Sequence, residues 1–326
     1  MSKHKDIKEA KKELEKGIIK EILEYIKYGF FPNNIQSSYI NAYNLVYSLG
    51  DCSDYVCDAL FNYHNNIIQS FIEDCYKILN QEPKDRLIDS FIKQTDKIYF
   101  LIYWMNRIFT YLDRYYLRAK SKQSLAKNAL ILYKQFFFNY LEEDIYIEVN
   151  KLIKQDRNCN LKSRNKIKIL LKILYDIDLD YPKVIRENNK IFFIPEKYIE
   201  SKNAEKNKES MSDTLSCEEK WFEKYFKNET IKFAKEKGKS DIYNMSTQDY
   251  ILSQLKYLKE EAIRQNEYIN PRYHSKINEI NYKFLIGENI EEILKMDKII
   301  QYMFNTKRKE ELKKAYQLFK LYPSSI

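Results

Sequence analysis

The chain has 326 residues, of which 44% are hydrophobic, so it can form a sizeable buried core and is not a disordered protein. Only 5 Gly and 6 Pro occur, too few for the many tight turns of all-β and α/β folds, and we predict an all-α protein of long helices. The formal net charge of +9 at pH 7 is concentrated in a short basic stretch near the middle of the chain.

Five helical segments are predicted in the first 120 residues. An amphipathic pattern of period 3.6 covers 7–26 and stops near Gly29, where the chain must turn. A second helix covers 39–49 and ends at Gly50. The other three segments are a helix from Ser53 to 79, a short helix that opens at Asp85, and a helix over 98–115.

A second group of five helices is predicted over 125–141, 145–154, 165–175, 218–237 and 247–268. Within this group, 182–216 contains a polar run that cannot bury enough apolar surface to order itself. We expect a flexible surface loop there, disordered near 199–216. The last part offers three helices, at 276–285, 290–304 and 309–322, so a helical array would end inside its third repeat.

Two aromatic segments indicate a surface for docking a protein. At helical spacing each segment places its aromatic side chains on one face, and two such faces side by side would form an aromatic anchor site with an Arg at its edge. The alternative is that these tyrosines fill the core, as Tyr at apolar helical positions more often does. The residues are Tyr39, Ala42, Tyr43 and Val46 on the earlier helix, and Tyr111, Arg114 and Tyr115 on the later one.

A different functional class is suggested by the basic stretch from Lys151 to Lys172, in which Asp156 is the only acid. Such a stretch can attract nucleic acid. However, its lysines alternate with Ile and Leu, which is the usual pattern of a helix with a charged, solvated face. No aromatic residue lies between them to stack on bases. A helical nucleic-acid-associated protein is therefore the alternative function.

Catalytic residues, metal ligands and cofactors are not predicted. His4, His64 and His274 are each isolated from Cys and carboxylates at ligand spacing, and the five glycines are too dispersed for a phosphate-binding loop. An enzyme would need a cleft that brings together carboxylates far apart in the sequence. Because the five cysteines include no C-x-x-C pair and no apolar run reaches the ~18 residues of a membrane span, we expect a soluble protein of the cytoplasm and nucleus.

The order of these helices and motifs resembles the N-terminal region of a cullin, the scaffold of multi-subunit ubiquitin ligases. The motifs that carry the resemblance are Tyr-x-x-Ala-Tyr-x-x-Val at 39–46, Tyr-Leu-Asp-Arg-Tyr-Tyr at 111–116, Lys-Leu-Ile-Lys-Gln-Asp-Arg at 151–157, the aromatic run 221–233, Tyr250, and Leu-Lys-Glu-Glu at 258–261. The resemblance implies an elongated stalk of stacked five-helix bundles, the cullin repeats. The first repeat would cover 1–120, the second 121–268, and an incomplete third 269–326.

The resemblance also implies a function. In the family, the second and fifth helices of the first repeat bind an adaptor of BTB-type fold, either Skp-type or a BTB-domain protein, which recruits a substrate receptor. The motifs assign this role to Tyr39, Tyr43, Tyr111 and Arg114, and helical spacing adds Ile35, Ala42, Val46 and Tyr115. The chain as given lacks the cullin homology domain, which in the family binds the RING protein. We therefore expect a non-catalytic scaffold subunit of a ubiquitin ligase that binds an adaptor, without membrane or nucleic-acid partners.

Overall fold

A computed structural model describes residues 7–29, 35–51, 53–158, 163–188, 190–195, 215–289, 293 and 309–321. Nearly all of these residues are helical, and the all-α prediction is confirmed. The elements are α1 (Ile7–Leu14), α2 (Lys20–Tyr28), α3 (Ile35–Gly50), α4 (Asp54–Leu79), α5 (Leu87–Ile108), α6 (Leu125–Phe136), α7 (Glu142–Arg157), α8 (Arg164–Ile177), β1 (Pro182–Glu187), β2 (Lys190–Pro195), α9 (Cys217–Trp221), α10 (Lys227–Asn244), α11 (Thr247–Tyr268), α12 (His274–Leu285) and α13 (Lys309–Lys320).

Local chemistry sets several of these helix limits. The hydroxyl of Ser53 accepts a hydrogen bond from the Val56 backbone N–H at 3.4 Å, which caps α4 where the sequence predicts its start. Gly29 ends α2 with a positive φ of 84°, a conformation that suits Gly because it has no Cβ. The predicted first helix is present over 7–28, but it is interrupted by a wider π-helical turn at Glu15–Ile19.

One continuous helix, α5, takes the place of the short helix predicted from Asp85 and the first part of the helix predicted from Ile98. The expected break between them is wrong because no Gly or Pro separates the two apolar patterns. Thr95 is instead buried at this point, and its hydroxyl lies 2.8 Å from that of Tyr133. The real break follows Ile108, and a π-helical turn at Leu112–Leu117 continues the chain.

A β-hairpin occupies part of the predicted flexible loop. Strands β1 and β2 pair antiparallel, with Pro182 opposite Pro195, so the loop prediction is wrong over 182–195. Its anchor is Phe193, which is fully buried and packs against the Tyr99 ring with centroids 4.7 Å apart. The predicted disordered segment lies outside the described residues up to 214, whereas Ser216 is ordered as the cap of α9.

The described chain divides into two compact units. Unit 1 comprises 1–145 and 172–214, and it contains α1 to α6 and the hairpin. Unit 2 comprises 146–171 and 215–326, and it contains α9 to α13. The repeat limits at 120 and 268, the stacking of repeats into a stalk, and the incomplete third repeat stay predictions.

The core of unit 2 is built around large aromatic side chains. Trp221 is almost fully buried and donates its indole N–H to Asn150 Oδ1 at 3.0 Å, and Tyr146 donates its hydroxyl to the Cys217 carbonyl at 2.9 Å. The predicted helix 290–304 falls outside the described residues except at Ile293. Among the residues that the structure describes, no helix combines the length and the apolar character needed to cross a membrane.

Candidate protein-docking surface

Five tyrosines of unit 1 form a connected series of rings, which we call the tyrosine row: Tyr39, Tyr43, Tyr47, Tyr111 and Tyr115. The ring centroids of successive members lie 6.4, 6.5, 4.9 and 4.9 Å apart. The first three members lie four residues apart on α3, so they fall on one side of that helix. The last two have the same spacing at the π-helical turn after α5. Tyr115 is 61% exposed and Tyr47 49%, whereas the other three are half-buried.

The link between the two segments is the contact of Tyr111 with the end of α3. A Cβ on Gly50 would lie only 2.6 Å from Cδ1 and Cε1 of Tyr111, so the ring rests directly on the backbone there. Its edge meets the Tyr47 ring at an interplanar angle of 77°. Partial burial raises the pKa of Tyr111, and the nearby Asp51 carboxylate raises it further, so the phenol stays neutral.

Arg107 is part of this surface, although the sequence analysis did not select it. Its guanidinium lies 5.0 Å from the ring centroid of Tyr39, 5.5 Å from that of Tyr103 and 5.7 Å from that of Trp104. It also donates a hydrogen bond to the Tyr103 hydroxyl at 2.7 Å. Burial lowers the pKa of Arg107, but the hydroxyls of Tyr103 and Tyr39 more than compensate and raise it above its ordinary value. The i, i+4 spacing of Tyr103, Arg107 and Tyr111 is the signal that would have identified it.

The predicted site residues differ in how far they are exposed. Tyr39, Tyr43, Tyr111 and Tyr115 are brought together, and Arg114 is exposed on the same turn as Tyr115. Ile35 is half-buried at the start of α3. Ala42 and Val46 are buried, so they lie behind the tyrosine row and support α3 from the core side.

The basic stretch of the alternative hypothesis is largely paired with acids of the protein itself. Arg157 is buried and forms a two-point ion pair with Glu261, whose Oε1 and Oε2 lie 2.6 and 3.4 Å from its nitrogens. Lys168 pairs with Glu267 at 2.9 Å, and Lys151 with Glu148 at 3.2 Å. These lysines and arginines are therefore less available to phosphates than the sequence suggests.

Arg157 belongs to a buried ionic network in unit 2 that joins α7, α8 and α11. Burial raises the pKa of Glu261, but the guanidinium groups of Arg157 and Arg264 lower it below its ordinary value, so the carboxylate stays charged. Asp156 is fully buried and accepts from Arg164 at 2.7 Å and from the Tyr268 hydroxyl at 3.0 Å. Each charge in this network has a partner, which is the condition under which buried charges are tolerated.

In the described ranges, no group of three or more His, Cys, Asp or Glu side chains is arranged to hold a metal ion. A small, open cleft in unit 2 lies between α7 and α10. Its charged lining is mixed, because Lys154 and Lys232 lie beside Glu229 and Glu236. This arrangement does not isolate a pair of carboxylates of the kind that general acid–base catalysis uses.

The family of the chain follows from comparison with known proteins. No curated protein matches the chain. The Cullin alpha solenoid domain family, in contrast, matches residues 12–325, a range that contains the whole tyrosine row and the ionic network. Members of this family are in general scaffolds that bind other proteins, and they are not enzymes. Because the match covers nearly the whole sequence, the chain belongs to the cullin family.

Proposed function

We propose that this chain is the adaptor-binding scaffold subunit of a cullin–RING-type ubiquitin ligase. In this proposal, unit 1 binds a BTB-fold adaptor through the tyrosine row, and the chain itself performs no chemistry. The observation that carries the proposal is the row itself, because five tyrosines in mutual contact are left partly open to solvent in a cullin-family chain.

The energetics of such a surface favour a partner. The connected aromatic side chains are only half-covered, so part of their apolar area faces water. A docked protein that covers this area gains roughly 25 cal/mol of free energy per Å² of apolar surface buried. Tyr is also among the residue types enriched at binding hot spots, because its ring is large and rigid and its hydroxyl can still form hydrogen bonds. Since Tyr111 is seated on the α3 backbone, the row is ordered before a partner arrives, which lowers the entropic cost of binding.

The proposal limits what these residues do. Binding of the RING protein belongs in the family to the cullin homology domain, and we assign no part of it to the residues described. We propose the cytoplasm and nucleus as the location of the protein. The buried thiol of Cys75, which forms no disulfide, supports a reducing compartment of this kind.

The test is binding of purified BTB-fold adaptors, both Skp-type and BTB-domain proteins, to the full chain. We expect the wild-type chain to bind at least one of them, and Tyr39→Ala combined with Tyr111→Ala to abolish that binding. Truncation of a hot-spot aromatic residue typically costs ~2 kcal/mol or more. Tyr243→Ala serves as the matched control, because Tyr243 is 80% exposed but lies in unit 2. Equal binding by the wild type and a folded double variant would contradict the proposal.

A further inference from the structure

Arg107 forms no ion pair with Asp or Glu among the residues that the structure describes. Its guanidinium contacts the rings of Tyr39, Tyr103 and Trp104 and the hydroxyls of Tyr103 and Tyr39. Other guanidinium groups of the chain do reach carboxylates, among them those of Arg157, Arg164, Arg264 and Arg272. Arg107 is also exposed, so a partner can reach its remaining N–H donors.

We propose that Arg107 determines which adaptors the tyrosine row accepts, by binding an Asp or Glu side chain that the adaptor carries beside its apolar contact residue. The inference rests on the proposed function, because it names the partner chemistry of the same surface. The added claim concerns specificity. The tyrosines alone would accept any partner with a suitable apolar side chain, whereas a fixed guanidinium disfavours partners without a carboxylate at that position.

The geometry favours a carboxylate for three reasons. The contact with the Tyr39 ring and the hydrogen bond to Tyr103 hold the guanidinium in place, so less rotamer entropy is lost when a ligand binds. A fixed planar fork matches the two oxygens of a carboxylate. The aromatic faces also supply a surface of low polarity beside the charge, which strengthens an ion pair formed there.

The position of Arg107 also fixes where on the row the carboxylate binds. Tyr39 contacts Trp104 and Tyr47 contacts Tyr111, so α3 and the segment after Trp104 run in the same direction. Arg107 therefore lies at the Tyr39 end of the row. Asp51, which acts on Tyr111, lies at the other end. An adaptor that placed its acid next to Asp51 would meet like charge, which favours an acid at the Tyr39 end.

The experiment measures the Kd of the full chain for a purified BTB-fold adaptor at low and high ionic strength. We expect Arg107→Gln to weaken binding by about tenfold at low ionic strength and to remove most of the salt dependence. Arg107→Lys keeps the charge but not the planar fork, and it should recover only part of the loss. The control is Arg86→Gln, which removes an exposed guanidinium about 30 Å away at the start of α5 and should change nothing.

A charge swap identifies the partner residue. Each surface Asp and Glu of the adaptor is changed to Lys in turn, and each adaptor variant is titrated with the wild-type chain and with Arg107→Glu. The single changes should each weaken binding. We expect one adaptor variant to regain affinity when it is combined with Arg107→Glu. Wild-type affinity in Arg107→Gln, while Tyr39→Ala with Tyr111→Ala still abolishes binding, would overturn this inference and leave the proposed function intact. Absence of binding by the wild-type chain to every adaptor would overturn both.

Discussion

At the scale of single residues, the contact between Gly50 and Tyr111 is the most constrained part of the docking surface. No side chain fits at position 50, because its Cβ would lie 2.6 Å from the Tyr111 ring. We expect Gly50→Ala to displace that ring, to destabilise the protein by about 1–3 kcal/mol through overpacking, and to weaken adaptor binding. Urea unfolding and adaptor titration measure the two effects.

A double-variant cycle separates this steric effect from a general effect of Ala at the end of α3. In a Tyr111→Ala background the space is vacant, so Gly50→Ala should cost little or no stability there. If Gly50→Ala is equally costly with and without the Tyr111 ring, the packing described here is incorrect.

A second residue-scale prediction concerns His64, which is fully buried in α4 with its ring edge-on to Phe109 at 5.3 Å between centroids. Burial lowers the pKa of His64 from 6.5 to about 4, so the folded protein keeps this side chain neutral where the unfolded chain would protonate it. Between pH 6.5 and 4 the unfolded state therefore binds more protons. The contribution of His64 to stability is complete above pH 6.5 and is lost as the pH falls toward 4.

The measurement is the free energy of unfolding of the wild type and of His64→Gln across this pH range. We expect the wild type to lose on the order of 3 kcal/mol more than the variant between pH 6.5 and 4. Other acid-sensitive groups are shared by both proteins, so their effects cancel in the difference. Parallel pH profiles would show that His64 titrates normally in the folded state.

At the scale of secondary-structure elements, the ionic network of unit 2 joins α7 to α11. Glu261→Gln would leave the buried guanidinium of Arg157 without its charged partner, and it would remove one of the charged partners of Arg264. We expect a loss of about 3–5 kcal/mol in the free energy of unfolding, measured with urea. The matched control is Glu223→Gln, because Glu223 pairs with Lys276 at 2.7 Å in a more exposed position and should cost less than about 1 kcal/mol. Similar small losses in both variants would contradict the assigned role of the network.

The limits of sequence-based prediction are also visible at this scale. The caps at Ser53 and Gly29 were predictable because they depend on neighbouring residues alone. The hairpin at 182–195 was not, because β1 and β2 depend on the distant Tyr99, against which Phe193 is buried. A long-range contact overrode the local pattern there. The unbroken α5 was within reach of the sequence, because no Gly or Pro interrupts residues 85–98.

The docking surface was predictable in part. The motifs indicated Tyr39, Tyr43 and Tyr111, because the aromatic residues within each motif are separated by a regular helical spacing. The burial of Ala42 and Val46 could not be read from that spacing, because it depends on the side of α3 that meets the core. The i, i+4 spacing of Arg107 with Tyr103 and Tyr111 was visible in the sequence, but its contact with Tyr39 was not, because that contact joins two segments that are far apart in the sequence.

At the scale of the whole molecule, membership of the cullin family describes a cullin-like scaffold. Unit 1 holds the tyrosine row, with Arg107 as its charged end. Unit 2 is held together by a buried ionic network and an aromatic core. A scaffold needs such fixed units, because the position of a docked partner is only as well defined as the surface that holds it.

The central claim is that the tyrosine row is a binding site for a BTB-fold adaptor. Its most direct test is a calorimetric titration of a purified adaptor into the wild-type chain and into the Tyr39→Ala, Tyr111→Ala variant, with circular dichroism to verify that the variant is folded. The account predicts a measurable Kd for the wild type and a value at least about a hundredfold weaker for the variant. The same Kd for both folded proteins would contradict it.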